Sequence, residues 1–309
     1  MPEPTPKPPL IVIIGPTAVG KTELSIELAL RLNGEIISAD SRLFYRGMDI
    51  GTAKPTCEEM RGVPHHLIDV ANPDETWSLA LFQQKAHETI EEITRRGHLP
   101  FLVGGTGQYV RAVTEGWTPP EVEPDARLRA VLETLASEHD IHWIHDKLRK
   151  LDAPAAAKID PRNLRRTIRA LEVIFTTGKP FSTQRSQEEA RYRVIGIGLK
   201  RPRAELYERI DRRIEAMFER GLVNEVAGLL AKGYSPTLPG MSAIGYREAA
   251  AVVRGELSEE LAQAQIKRLT RIFVRRQANW FKESDPSLHW FEAGSINLDE
   301  VETYLRIYL

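Results

Sequence analysis

Near its N-terminus the chain reads Gly15-Pro16-Thr17-Ala18-Val19-Gly20-Lys21-Thr22, which fits the spacing G-x-x-x-x-G-K-[ST]. Glycines at both ends let successive backbone N–H groups turn inward around a phosphate. The start of the following helix adds partial positive charge and Lys21 a full one. Thr22 is the hydroxyl placed to hold a magnesium ion beside that phosphate. A second group stands at Asp40-Ser41, where a carboxylate suits either magnesium binding or proton acceptance from a nucleophile. A phosphate cradle leaves two outcomes open: the terminal phosphoryl group moves, or the whole diphosphate departs and the group left behind is transferred.

These residues need a scaffold, and the hydropathy pattern supplies one. Leu10–Ile14 is a short, β-branched apolar run ended by Gly15, and Leu24, Leu28 and Leu32 then recur every four residues. The pattern predicts a strand, a loop and a helix over Thr22–Leu32. Further strands are expected at Glu35–Ser38, His66–Val70 and Leu99–Val103, with a helix from about Ser78 to Arg96. Strands alternating with helices imply an α/β fold with a parallel sheet flanked by helices, and Asp40 then falls at the carboxyl edge where such sheets bind ligands. After Gly116-Trp117-Thr118-Pro119-Pro120 the texture becomes charged and helical. A mostly helical insertion is therefore expected over residues 121–190, within a P-loop core of 8–120 plus 191–309, preceded by a flexible proline-rich arm at 1–7. Val194–Leu199 reads as a strand returning to the sheet. Helices are expected at Ala204–Arg220, Leu222–Lys232 and Ser258–Lys282, the last with a stripe of Leu261, Gln265, Leu269, Ile272, Phe273 and Trp280.

The 309 residues, 42% of them hydrophobic, suffice for a large core and a smaller domain. One cysteine, Cys57, excludes an internal disulfide and a multi-cysteine zinc site and fits a reducing cytoplasm. The first ten residues lack the apolar core of a signal peptide, and no apolar run reaches the length a membrane helix needs. A net charge of −1 conceals an asymmetry: residues 1–120 hold 11 Lys and Arg against 15 Asp and Glu, the rest 31 against 28. The basic residues cluster, with Arg162, Arg165, Arg166 and Arg169 in one group and Lys267, Arg268, Arg271, Arg275, Arg276 and Lys282 in another. Such clusters suit a phosphate backbone, although a solvated helix face carries the same signature. His139, His142 and His145 drift around a helix at three-residue spacing, which disfavours a metal site.

Taken in order, the phosphate loop, Ser38-Ala-Asp-Ser-Arg-Leu-Phe-Tyr-Arg-Gly-Met-Asp-Ile-Gly-Thr-Ala-Lys-Pro55, Pro64-His-His-Leu-Ile-Asp69, Leu102-Val-Gly-Gly-Thr-Gly107, Ile244-Gly-Tyr-Arg247 and Arg275-Arg-Gln-Ala-Asn-Trp280 resemble the tRNA dimethylallyltransferase family, in its bacterial form, over nearly the whole chain. The resemblance implies a P-loop NTPase-like core and transfer of a dimethylallyl group from its diphosphate to the exocyclic amine of the adenosine that follows the anticodon, releasing pyrophosphate. It implies Mg2+ as cofactor, tRNA as partner and a cytoplasmic, monomeric enzyme. By similarity Gly15 to Thr22 hold the diphosphate, Asp40 is the general base and Thr106 orients the reacting groups. Asp40, Ser41, Arg42, Leu43, Thr106, Arg127, Arg162, Arg165, Arg166, Gly245, Tyr246, Arg247, Arg275, Arg276, Gln277 and Trp280 fall where the family meets tRNA. Leu43 departs from the glutamine many members carry, and Gln108 from a commoner leucine. Two other readings belong to different classes: a small-molecule P-loop kinase with Asp40 as base for a hydroxyl, and a non-catalytic P-loop nucleotide switch.

Overall fold

The computed structural model describes residues 7–120, 122–184, 186–187 and 189–309. The arm expected at 1–7 therefore lies, up to residue 6, outside the described residues. The chain divides into two compact units, one of Met1–Thr114 with Ala190–Leu309 and one of Glu115–Glu189.

The first unit opens with β1 (Pro9–Ile14), α1 (Lys21–Leu32), β2 (Gly34–Ser38), the single turn α2 (Cys57–Met60), β3 (His65–His66), α3 (Leu79–Arg95), β4 (Leu99–Gly104) and α4 (Gly107–Thr114). The second unit holds β5 (Trp117–Thr118), α5 (Ala126–Glu138), α6 (Ile141–Leu151), α7 (Ala153–Lys158), α8 (Leu164–Thr177) and β6 (Ser186–Gln187). The chain then returns to the first unit as β7 (Arg193–Lys200), α9 (Arg203–Glu219), α10 (Leu222–Ala231), α11 (Tyr246–Val253), α12 (Glu259–Gln277), β8 (Leu288–Glu292) and α13 (Leu298–Tyr308).

Six strands form one sheet in the order β3-β2-β4-β1-β7-β8, every pairing parallel. Parallel strands covered on both faces must be apolar throughout, and β1 shows why its sequence is one unbroken apolar run. Ile11 and Ile13 enter the cluster on one face, with Phe101, Val103, Ile195 and Ile197. Leu10, Val12 and Ile14 enter the other, with Ile37, Leu102, Phe82 and Ile90. α3 begins on Ser78, whose hydroxyl accepts the N–H of Leu81, and buries Phe82, Ala86, Ile90 and Ile93. This is the stripe its four-residue spacing predicts.

In the second unit, four successive helices each start on an acid or amide: Asp125, Asp140, Asp152 and Asn163 accept backbone N–H groups of the first turn. Its core gathers Leu132, Ile144, Leu148, Ile168, Leu171 and Phe181. Glu172 is fully buried within it, taking Arg129 and Arg169 on its two oxygens and the Asp125 N–H as well. Burial opposes the charge on Glu172, but these partners hold its pKa below the usual carboxylate value.

Three expectations are corrected. The third strand is only two residues long, because Leu67 and Asp69 take φ of 58° and 54° and turn the chain out of the sheet. The late helix stops at Gln277, five residues short of Lys282, and the sheet gains an unforeseen sixth strand, β8. Its apolar stripe was also misplaced: Ala262, Ile266, Val274 and Gln277 are buried, whereas Leu261 and Phe273 are 57% and 40% exposed.

Candidate active site

β1 delivers the chain to the loop at Gly15, where a Cβ would lie 2.7 Å from the Leu199 carbonyl of β7, so only glycine lets the strand leave beside its neighbour. Ala18 and Gly20 then take φ of 65° and 114°. A Cβ at Gly20 would meet nothing within 4 Å, so its glycine serves the left-handed backbone rather than space. Gly20 caps α1 without a side chain, leaving the first-turn N–H groups for an anion.

The loop opens on a cavity of about 410 Å³ lined by Thr17, Ala18, Gly20, Lys21, Thr22, Glu23, Asp40, Leu43, Thr52, Ala53, Arg209, Arg212 and Arg213. Lys21 is half-buried in this lining, and its ammonium donates to the carbonyls of Gly15 (3.0 Å) and Pro16 (2.8 Å). Its pKa falls from 10.5 to about 8: burial is the main cause, Asp40 opposes the shift and Arg213 adds to it. The lysine is thus a cation held with little compensating charge, a state that an entering anion relieves.

Asp40 follows the end of β2 beside β4, its neighbour Ala39 donating to the Val103 carbonyl. Its Oδ1 accepts the Arg42 N–H at 3.0 Å, which orients the carboxylate in a local turn. Capping and catalysis are compatible here, because that turn uses one of two oxygens. Thr22 and Asp40 line the same cavity. A hydroxyl and a carboxylate suit Mg2+, whose remaining positions oxygens of a diphosphate and water would fill. No group of three or more His, Cys, Asp and Glu side chains that could hold a metal by itself exists among the described residues.

Three arginines of α9 went unassigned in the sequence. Arg209 Nε donates to the Ala18 carbonyl at 2.8 Å and Arg213 to the Thr52 carbonyl at 3.2 Å, bracing the loop and the opposite wall. Burial depresses the Arg213 pKa while Asp40 supports its charge. Spacings of three and four residues place Arg209, Arg212 and Arg213 on one helix side, adjoining the buried stripe of Leu206, Ile210, Ile214 and Met217. That spacing was readable, but nothing in it says that this side meets the phosphate loop.

The remaining expected contacts scatter. Arg42 is latched to the Pro239 carbonyl at 2.9 Å, and Thr106 lies in the turn before α4, outside the cavity lining. Arg275 and Arg276 are exposed at the end of α12 and make no ion pair among the described residues. Trp280 packs over Gly107, where a Cβ would come within 2.3 Å of its ring, and accepts a hydrogen bond from Arg111 on its carbonyl. In the second unit Arg127, Arg165 and Arg166 are exposed, Arg162 pairs with Asp160, and Arg169 turns inward to Glu172.

Three expected RNA contacts are corrected. Tyr246 is fully buried and its hydroxyl donates to Glu225 at 2.5 Å, so neither ring face is open to a base. Gly245 is buried with its N–H given to Glu248, leaving Arg247 as the exposed member of that segment. Gln277, 7% exposed, spends both ends of its amide on Thr17 and Gly105.

Comparison with known proteins places this geometry. The family model described as IPP transferase matches residues 43–284, and a second, isopentenyl transferase, matches residues 8–73. The tRNA dimethylallyltransferase of Roseiflexus sp. strain RS-1 is 53% identical over 89% of this chain and 90% of its own length. The solved tRNA isopentenylpyrophosphate transferase of Bacillus halodurans is 44% identical, with a TM-score of 0.72 over 98% of this chain and 95% of that one. A eukaryotic dimethylallyltransferase solved while acting on tRNA is 28% identical, with a TM-score of 0.78 over 97% of this chain and 77% of that one.

Proposed function

The chain belongs to the tRNA dimethylallyltransferase family, and we propose that its phosphate loop holds the diphosphate of dimethylallyl diphosphate while the prenyl group passes to the exocyclic amine of the adenosine following the anticodon. The observation that carries this reading is one cavity in which Lys21, Arg209, Arg212 and Arg213 surround a glycine-bounded loop and Asp40 faces them.

An exocyclic amine is a weak nucleophile because its lone pair is delocalised into the ring. In the proposed step its nitrogen forms a bond to C1 of the allyl group as the C1–O bond to the diphosphate breaks. Pyrophosphate leaves with the bonding electrons, and the ammonium proton passes to Asp40. Charge developing on the allyl carbons is delocalised, and charge on the departing oxygens meets the loop N–H groups, Lys21 and the α9 arginines. Mg2+, held by Thr22, would add charge neutralisation at the diphosphate. Arg275, Arg276, Arg247 and Trp280 of the first unit, and Arg127, Arg162, Arg165 and Arg166 of the second, are the proposed tRNA contacts. A mononucleotide acceptor would need no such set of exposed cations. The adenine must leave its stack to react, which loop bases do more readily than duplex bases.

The test combines protein, Mg2+, tRNA and either dimethylallyl diphosphate or ATP. Dimethylallyl diphosphate should yield pyrophosphate and a prenylated adenosine in the tRNA nucleosides by mass spectrometry. ADP formation from ATP, with no prenylated nucleoside, would favour the kinase reading; neither product would favour the switch.

A further inference from the structure

Gln277 ends α12 and joins two stretches of chain that the sequence keeps far apart. Its Oε1 accepts the Thr17 N–H at 2.9 Å across 260 residues, and its Nε2 donates to the Gly105 carbonyl at 3.1 Å across 172 residues. Only one orientation of the amide satisfies both partners, since Thr17 N can only donate and Gly105 O only accept. Gly105 is itself shaped to the clasp: a Cβ there would lie 2.5 Å from Nε2 and 3.2 Å from the Gly15 carbonyl. Thr17 is the first loop residue to line the cavity, and Gly105 precedes Thr106 at the end of β4.

We propose that Gln277 is a positioning residue for the diphosphate, holding the Thr17 peptide in register with the Gly105–Thr106 turn. This rests on the reading of the cavity as the diphosphate site. A cradle built from backbone N–H groups binds well only when those groups already point at the anion, because reorienting them on binding costs affinity. Of the bonds to the loop from outside it, Arg209 restrains the Ala18 carbonyl and Gln277 restrains the amide nitrogen of Thr17. Loss of Gln277 frees that peptide to rotate. Burial of the side chain, together with a bond at each end of its amide, sets this role apart from an RNA contact at the same helix end, where Arg275 and Arg276 remain exposed.

The experiment uses the full chain with Mg2+ and inorganic pyrophosphate as probe. Gln277→Met keeps the length of the side chain and can neither accept from Thr17 nor donate to Gly105. Its pyrophosphate Kd, measured by calorimetry well below the melting temperature, should weaken roughly tenfold, the size expected when the Thr17 N–H in the cradle is left without its partner. Its tRNA Kd should stay within about twofold. Gly105→Ala pushes the amide away without altering Gln277 and should give a similar loss. The double variant should lose little more than either single one, because both break the same link. An unchanged pyrophosphate Kd with weakened tRNA binding would make Gln277 an RNA contact; a lower melting temperature with both affinities intact would make it packing only; either overturns the proposal. Wild type that binds pyrophosphate but prenylates no tRNA would sink the proposed reaction and leave these arms to decide the clasp. Wild type that binds no pyrophosphate would sink both.

Discussion

Lys21 carries its proton in an enclosed place, and donor binding must therefore depend on pH in a way that exposed lysines do not produce. With a pKa of about 8, its protonated fraction falls from about 90% at pH 7 to about 10% at pH 9. A bound diphosphate favours the charged form and returns the pKa toward 10.5, so affinity should track that fraction and drop about tenfold across those two pH units. Calorimetric titration of pyrophosphate with Mg2+ from pH 7 to 9 measures this directly. Dividing each wild-type value by that of Lys21→Met removes the ionisation of the ligand itself. Titration in buffers of different ionisation enthalpy should also show close to one proton taken up per site at pH 9. Stability supplies an independent reading. The folded pKa lies below the unfolded one, so between about pH 8 and 10.5 the unfolded chain binds the extra proton and wild type gains stability as pH rises. Lys21→Met lacks that slope, so its stability relative to wild type should be greatest below pH 8 and decline toward pH 10.5. The difference is bounded above by roughly 3 kcal/mol and is smaller in practice because the side chain is partly exposed. A wild-type to variant affinity ratio that stays flat from pH 7 to 9, with no proton uptake, would refute the buried-ammonium argument.

Asp40→Asn keeps the shape and the turn-capping oxygen but cannot take the proton, and single-turnover prenylation should slow by about 10²- to 10⁴-fold with much less change in tRNA affinity. Partial recovery in excess magnesium would assign Asp40 to the metal instead, and a rate within about threefold of wild type at every concentration would remove it from both roles. Replacing Arg275 and Arg276 together with alanine should weaken tRNA binding and flatten the log–log salt dependence by about 0.7 per lost phosphate contact, with folding preserved. An unchanged slope would leave both arginines as solvated surface. Tyr246→Phe should cost about 1.5–3 kcal/mol in chemical denaturation, the worth of a hydrogen bond to a charged group, while tRNA affinity stays within about twofold. Weakened tRNA binding at intact stability would return the tyrosine to the interface.

The phosphate loop was legible in the chain because everything that shapes it is contiguous: β1 is apolar throughout, Gly15 permits a close approach and Gly20 a left-handed turn, and Lys21 and Thr22 open the helix that follows. The strands β2, β4 and β7, and the helices α1, α3, α9 and α10, were legible for the same reason, their burial period being written into neighbouring residues. What failed was whatever depends on a distant partner. Glutamine in an exposed-looking basic segment reads as surface, yet Gln277 is buried because Thr17 and Gly105 need its amide. The family resemblance puts Tyr246, beside Arg247, at an RNA face, yet Glu225 accepts its hydroxyl while also collecting the N–H groups of Asp49, Ile50 and Gly51. Arg209, Arg212 and Arg213 looked like one polar side of a helix, and they line the cavity because Leu206, Ile210 and Ile214 seat the adjoining side on the core. Local sequence determines backbone turns and the period of burial, since hydrogen bonds and propensities act over a few residues. Which polar side chain meets which loop depends on packing between elements hundreds of residues apart, and only the tertiary structure decided that.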